Sequence, residues 1–207
     1  MHLNPYGEDA VNLAADLVNR PPADAGELAD RCGSAGLVLE RPTTAQDLDR
    51  ARYALESWEK VVDATDEHER AALVNQMLEE AAAYPRMTDH AGSGWHLHYR
   101  DDRKPLGDVL FSLIAVGTAL HLAGRGMNRL RRCAVAECDM VFADTSRTGR
   151  QRYCSQLCAN RDAVRRHRAR GQENEASSMY KGKSSSSVRK SITGSVQSTH
   201  TSHRSAI

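Results

Sequence analysis

Four cysteines constrain this chain more than any other feature. Cys133, Cys138, Cys154 and Cys158 follow the spacing C-x4-C-x15-C-x3-C within CAVAECDMVFADTSRTGRQRYCSQLC, and the fifth cysteine, Cys32, lies far from them. Two close pairs separated by about a hairpin's length suit one tetrahedral ion, each pair placing two thiolates on one side of it. Neither pair is C-x-x-C, so a redox role is disfavoured. Four thiolates close the coordination shell, so these residues are expected to hold one structural Zn2+ rather than a catalytic one. Metal affinity then contributes directly to folding, on the order of 10–16 kcal/mol apparent in finger peptides. Losing a ligand is expected to unfold this module without necessarily unfolding the rest. Cys32, near the end of an Ala/Gly-rich helix, reads as a small apolar residue.

Charge divides the chain in the same place. Residues 1–100 carry 9 Lys/Arg against 18 Asp/Glu, a net −9, whereas residues 129–170 carry 11 Arg against 4 acids, a net +7. The overall +1 hides this split. A compact basic module on an acidic body suits binding to a polyanion. No apolar run approaches the ~18–20 residues that span a bilayer, and no basic-then-apolar leader opens the chain. A cytoplasmic location, with no membrane partner, is the resulting expectation. Reduced thiols there favour metal binding over disulfides.

Helix signals dominate the first 125 residues. EDAVNLAADLVN (8–19) reads as a helix stopped by Pro21-Pro22. Asp24 with Glu27 opens a second, ending near Gly33, and Thr44 with Asp47 forms a capping pair for a long third through about Ala64. Leu48, Ala51, Leu55, Trp58 and Val62 recur there at helical spacing. Asp66 with Glu69 opens a fourth, whose apolar face is expected at Ala72, Leu73, Met77, Ala81 and Tyr84. In GWHLHYR the period changes to two, predicting a strand with Trp95, Leu97 and Tyr99 on its buried face, paired with residues 86–88. His96 and His98 share the other face, more simply a polar sheet face than a metal site. A helix from about Pro105 to Ala123, apolar over much of its surface, is expected at the centre of the body. After residue 170 the chain is Ser-rich and expected to be disordered.

Around the cysteines, MVFAD and RQRYC are expected to pair as two short strands about the turn TSRTG. Ser155 is a natural N-cap for a helix that begins at the second cysteine pair and ends near residue 170. Knuckle, hairpin and helix make a treble-clef-like zinc finger. The fold class expected is therefore mainly α (α+β): a helical body with a small β-hairpin over 1–125, the finger over 126–170, and a disordered tail over 171–207.

The stretch RLRRCAVAECDMVFADTSRTGRQRYCSQLCANRDAVRRHRAR resembles the CGNR zinc-finger family. The matching positions are the four cysteines, Phe142, Asp144-Thr145-Ser146, Tyr153-Cys154-Ser155, Asn160, Arg161, His167 and Arg170. Ala159 stands where that family has glycine, and Tyr153 where tryptophan is usual. VNLAADLVN, LADRCGSAGLV, the long helix and the short hairpin more loosely resemble the ABATE-type domain that precedes this finger. The two resemblances together imply a bacterial transcription regulator of a kind described as stress-induced, whose N-terminal domain senses a small-molecule effector.

In a helix beginning at 155, Arg161, Arg165 and Arg168 form a stripe at i, i+4, i+7, with Arg166 and Arg170 on a different side. Arg131 and Arg132 precede the first cysteine, and Arg150 and Arg152 lie on the expected hairpin. These arginines suit phosphates and guanine edges, and Asn160 could read adenine or fix the helix start. Double-stranded DNA is favoured over RNA because the module lacks exposed aromatic pairs for stacking unpaired bases. One 42-residue module offers little surface, so specificity is expected to require a homodimer built through the body. No phosphate loop, nucleophile elbow or acid–base pair indicates an enzyme. The alternative is a protein-interaction adaptor whose arginines meet an acidic partner or the acidic body itself.

Overall fold

The computed structural model describes residues 7–39, 41–82, 85–88, 95–98 and 104–185. The chain forms two compact units, residues 1–161 and 162–207. The first holds five helices and two small antiparallel hairpins among its described residues, and the start of a sixth helix.

Helix starts follow the local chemistry of the caps. α1 (Glu8–Asn19) begins at Gly7, whose φ of 62° is left-handed; a Cβ there would meet the Gly117 carbonyl oxygen at 2.0 Å. α2 (Ala25–Ser34) is capped by Asp24, which accepts from the Glu27 amide at 2.9 Å. α3 (Ala45–Asp63) carries a full capping box between Thr44 and Asp47. The Asp47 carboxylate also accepts from the Gly107 amide at 2.9 Å, tying α3 to the next long helix. Burial alone would raise the Asp47 carboxyl; the hydrogen bonds from Gly107 and Thr44 outweigh it and hold the group low. α4 (Glu67–Glu80) is capped by Asp66.

α5 (Leu106–Arg125) is the central helix, with thirteen buried residues, and packs against α1, α3 and α4. By length and composition it could cross a membrane, contrary to the expectation that no run reaches that length, but 72% of its apolar window is buried inside the protein. Leu110, Phe111 and Ile114 from α5 meet Leu17 of α1 and Trp58 of α3 in one core. The Trp58 indole donates to the Thr118 hydroxyl at 3.0 Å, so the largest core side chain is also satisfied. Cys32 is fully buried in that core, where burial pushes its thiol up to about 11.

Two expectations for the body need correction. The inward face of α4 is Arg70, Val74 and Met77, continued by Ala81, with the expected Leu73 half-buried against the core; Ala72 is exposed, and Tyr84 lies outside the described residues. Arg70 displaces the expected register because its guanidinium, although 6% exposed as a residue, has carbonyl acceptors. It donates to Val61 at 3.0 Å, to Val62 at 3.3 Å, and to Ala64 and Met127. These close the C-terminal end of α3, whose last carbonyls would otherwise lack partners. The second correction concerns β1 (Arg86–Thr88) and β2 (His96–His98). They pair as expected, Met87 opposite Leu97, but their apolar side chains are not core. Met87 is 61%, Trp95 71% and Leu97 46% exposed, and Tyr99 lies outside the described residues.

The second hairpin is also wired differently. β3 (Leu130–Arg132) pairs with β4 (Val141–Ala143), so VFA joins the segment before the first cysteine rather than RQRYC. Its Leu130, Val141 and Ala143 belong to the same core as the five helices. Asn19, the last residue of α1, binds β4 with its carboxamide: Nδ2 donates to the Val141 carbonyl and Oδ1 accepts from the Val141 amide, each at 2.8 Å. The side chain thus replaces a neighbouring strand at the β4 edge. The sequence divides at 125/126; the packing is continuous up to residue 161.

Candidate metal centre and basic helix

The β3–β4 hairpin turns back at the first cysteine pair. The Cys133 amide donates to the Met140 carbonyl at 2.9 Å, and the Cys138 amide to Val135 at 3.0 Å, closing a tight loop around Val135, which is buried. The returning segment is fixed by single bonds rather than a ladder: Ala134 donates to the Arg152 carbonyl at 2.8 Å. Between them Asp144 is fully buried and organises residues 144–151. Its carboxylate accepts from the Ser146 amide and the Gln151 amide at 3.0 Å each, and from the Ser146 hydroxyl at 2.5 Å. Burial would raise this carboxyl, but those bonds and the nearby Arg129 hold it below the usual range. Gly149 has φ 66°, a left-handed backbone that favours glycine, and a Cβ there would lie 2.7 Å from the Arg129 guanidinium carbon, which would have to shift.

These contacts bring the four predicted thiols together. Cys138 and Cys154 sulfurs are 3.7 Å apart, Cys154 and Cys158 3.7 Å, and Cys158 and Cys138 3.8 Å. All four Sγ atoms lie within 4.8 Å of one another, and all are free thiols. A disulfide requires about 2.05 Å. A tetrahedral ion with bonds of about 2.3 Å to sulfur gives edges of about 3.8 Å, which these separations match. Titration in this cluster is split. Burial would raise Cys133, but amide bonds from Val135 and Cys154 and the neighbouring thiols bring it down to about 7. Cys154 is pushed up to about 12 by burial and by its neighbouring thiols. Four thiolates packed this closely need a cation to coexist. Cys133, Val135 and Cys158 form a small second core with half-buried Cys138, Cys154 and Tyr153 around them.

Ser155 caps α6 (Gln156–Ser185), its hydroxyl accepting from the Cys158 amide at 3.3 Å. The helix continues past residue 170, where the sequence places its end; residues 186–207 lie outside the described residues. Arg161, Arg165, Arg166, Arg168 and Arg170 are all exposed on it. Asp162, between these arginines, differs from them. It is buried, and its two oxygens bind Arg165 at 2.6 Å and Arg166 at 2.9 Å, presetting two guanidinium groups. Asn160 is exposed, and its Oδ1 accepts from the Gln156 side-chain Nε2 at 2.9 Å.

The arginines outside α6 divide. Arg150 and Arg152 are exposed, Arg152 lying 5.8 Å from the Tyr153 ring centre. Arg131 instead turns onto the carbonyls of Asn128, Gly149 and Gln151. Arg132 reaches α3, binding Asp63 at 2.6 Å and Glu59 at 3.1 Å. Sequence spacing did not separate these two from the other arginines of the module. Nor did it mark Asp162 or Asn19, because their partners are chosen by the fold; only Asp162's i+3 and i+4 spacing to arginines offered a signal.

Comparison with known proteins divides the chain in two. A family model described as "CGNR zinc finger" matches residues 129–171, and one described as "Putative stress-induced transcription regulator" (ABATE) matches residues 11–125. Both describe regulatory or metal-binding modules rather than enzymes. A search of curated proteins gave no match. With its four-cysteine centre inside the first match and more than half of its length inside the second, the chain belongs to the ABATE family and carries a CGNR zinc finger after that domain.

Proposed function

We propose that this protein is a cytoplasmic transcription regulator that binds double-stranded DNA through α6, with one structural Zn2+ on Cys133, Cys138, Cys154 and Cys158. The observation that carries the reading is the exposure of five arginines on α6 directly after the second cysteine pair. Bound zinc supplies a fixed cross-link between the knuckle and the start of this helix. The chain's own residues do the rest. Ser155 starts the helix, and Asp162 holds Arg165 and Arg166 in preset forks suited to phosphate oxygens. Arg131 and Arg132 serve the fold, so DNA contact rests on Arg161, Arg165, Arg166, Arg168 and Arg170, with Arg150 and Arg152 supplementing them.

The body is proposed to dimerise or to sense an effector, doubling the surface offered to DNA. Because phosphate contacts dominate, affinity should fall steeply with salt. The test is fluorescence anisotropy of labelled random duplex with and without chelator at two salt concentrations. Zinc-dependent, salt-sensitive binding that is lost in the triple variant R161A/R165A/R168A is the expected result. Absence of binding at low salt by zinc-loaded protein overturns the reading and favours the adaptor.

A further inference from the structure

We infer that Leu157, with Asn160 and Arg161, reads base edges in the DNA major groove, Leu157 by contact with a thymine methyl group. The inference rests on the duplex-DNA reading above. Leu157 is 78% exposed, more than any other large apolar residue among those described, although it sits beside the buried ligand Cys158. It contributes little to either core, since truncating so open a side chain removes almost no buried surface. The side chain is therefore available for contact outside the fold.

Three further facts indicate what that is. The segment 129–170 carries +7, which selects a polyanion as the occupant. Leu157, Asn160 and Arg161 stand at i, i+3 and i+4 of α6 and are all exposed, so they face one way. Their chemistries match three base edges: an apolar group for the thymine methyl, a carboxamide for adenine N6 and N7, and a guanidinium for guanine O6 and N7. Gln156 refines the second. By donating to Asn160 Oδ1 at 2.9 Å it fixes the carboxamide, leaving Nδ2 free to donate to N7 and the other Oδ1 lone pair to accept from N6. Phosphate contact would need no leucine and no oriented carboxamide.

The test begins with duplexes selected from a random pool by zinc-loaded full-length protein. Each thymine in the selected site is then replaced by uracil, which lacks only the methyl group. Wild type should lose about 4-fold in affinity at one position, as expected for one buried methyl-sized contact. L157A should bind the thymine site as weakly as wild type binds the uracil site, and should be indifferent to the replacement. Its zinc content and thermal midpoint should match wild type, which separates contact from misfolding. N160A and R161A should relax selection at an adenine and a guanine nearby. A selected site that ignores every methyl removal, or an L157A protein that keeps the full methyl effect, overturns the assignment and leaves Leu157 to a protein partner. If wild type enriches no duplex at low salt, the DNA reading itself fails and the assignment falls with it.

Discussion

The two hairpins of this molecule have the same size and opposite fates. Both join three-residue antiparallel strands. β3–β4 buries Leu130 and Val141 to 1% exposure in the helical core and is closed at its edge by Asn19. β1–β2 leaves Met87, Trp95 and Leu97 open to solvent. A two-stranded ribbon is marginal by itself, so its stability comes from what covers it. β3–β4 has α1 and α3 to cover it. Alternation of apolar residues along a strand reports that one face could be buried; it says nothing about which element arrives to bury it.

The sharpest way to break this contrast is to remove the metal. Chelation, or C138S, should free the knuckle that joins β3 to β4. Because that hairpin shares the body's core, the loss should reach Trp58. In a W95F background, where Trp58 is the sole tryptophan, its unfolding midpoint should fall by on the order of 10 °C or more. An unchanged midpoint would mean that finger and body fold separately, as the sequence suggested. Next, R70M should cost about 3 kcal/mol by stranding carbonyls of Val61, Val62, Ala64 and Met127, measured by urea denaturation.

Smaller effects sharpen the comparison strand by strand. L130A should cost about 3 kcal/mol, while L97A, the equivalent truncation on the open hairpin, should stay within about 0.5 kcal/mol. N19A removes two hydrogen bonds and leaves Val141 without partners, for about 2 kcal/mol. R132M is expected to cost about 0.5–1 kcal/mol, because its ion pairs with Glu59 and Asp63 are partly exposed. Raising salt should shrink that last difference and leave the N19A effect intact.

What the sequence made legible was local. Asp24, Thr44 and Asp66 announce their helices because a cap and its amide lie three residues apart. The cysteine spacing announces the candidate metal centre because two close pairs a hairpin's length apart can meet around one tetrahedral ion. The pairing of VFA with LRR was not legible, since TSRTG signals a turn without saying that the strand partner lies upstream. The register of α4 was hidden by Arg70, a charge that the periodicity places outside and four carbonyls draw inside. The exposure of Trp95 contradicts its residue type, and the length of α6 has no local stop beyond Gly171 to betray it.

The central position of α5 bears on how the protein is made. A nascent segment of this length and apolarity resembles the substrates of membrane-insertion machinery. Every helix that covers it, α1, α3 and α4, precedes it in the chain and has been synthesised when it leaves the ribosome. Order of synthesis thus provides a shield before the need for one arises, and a circular permutation that placed α5 first would remove that protection while keeping every contact of the folded state.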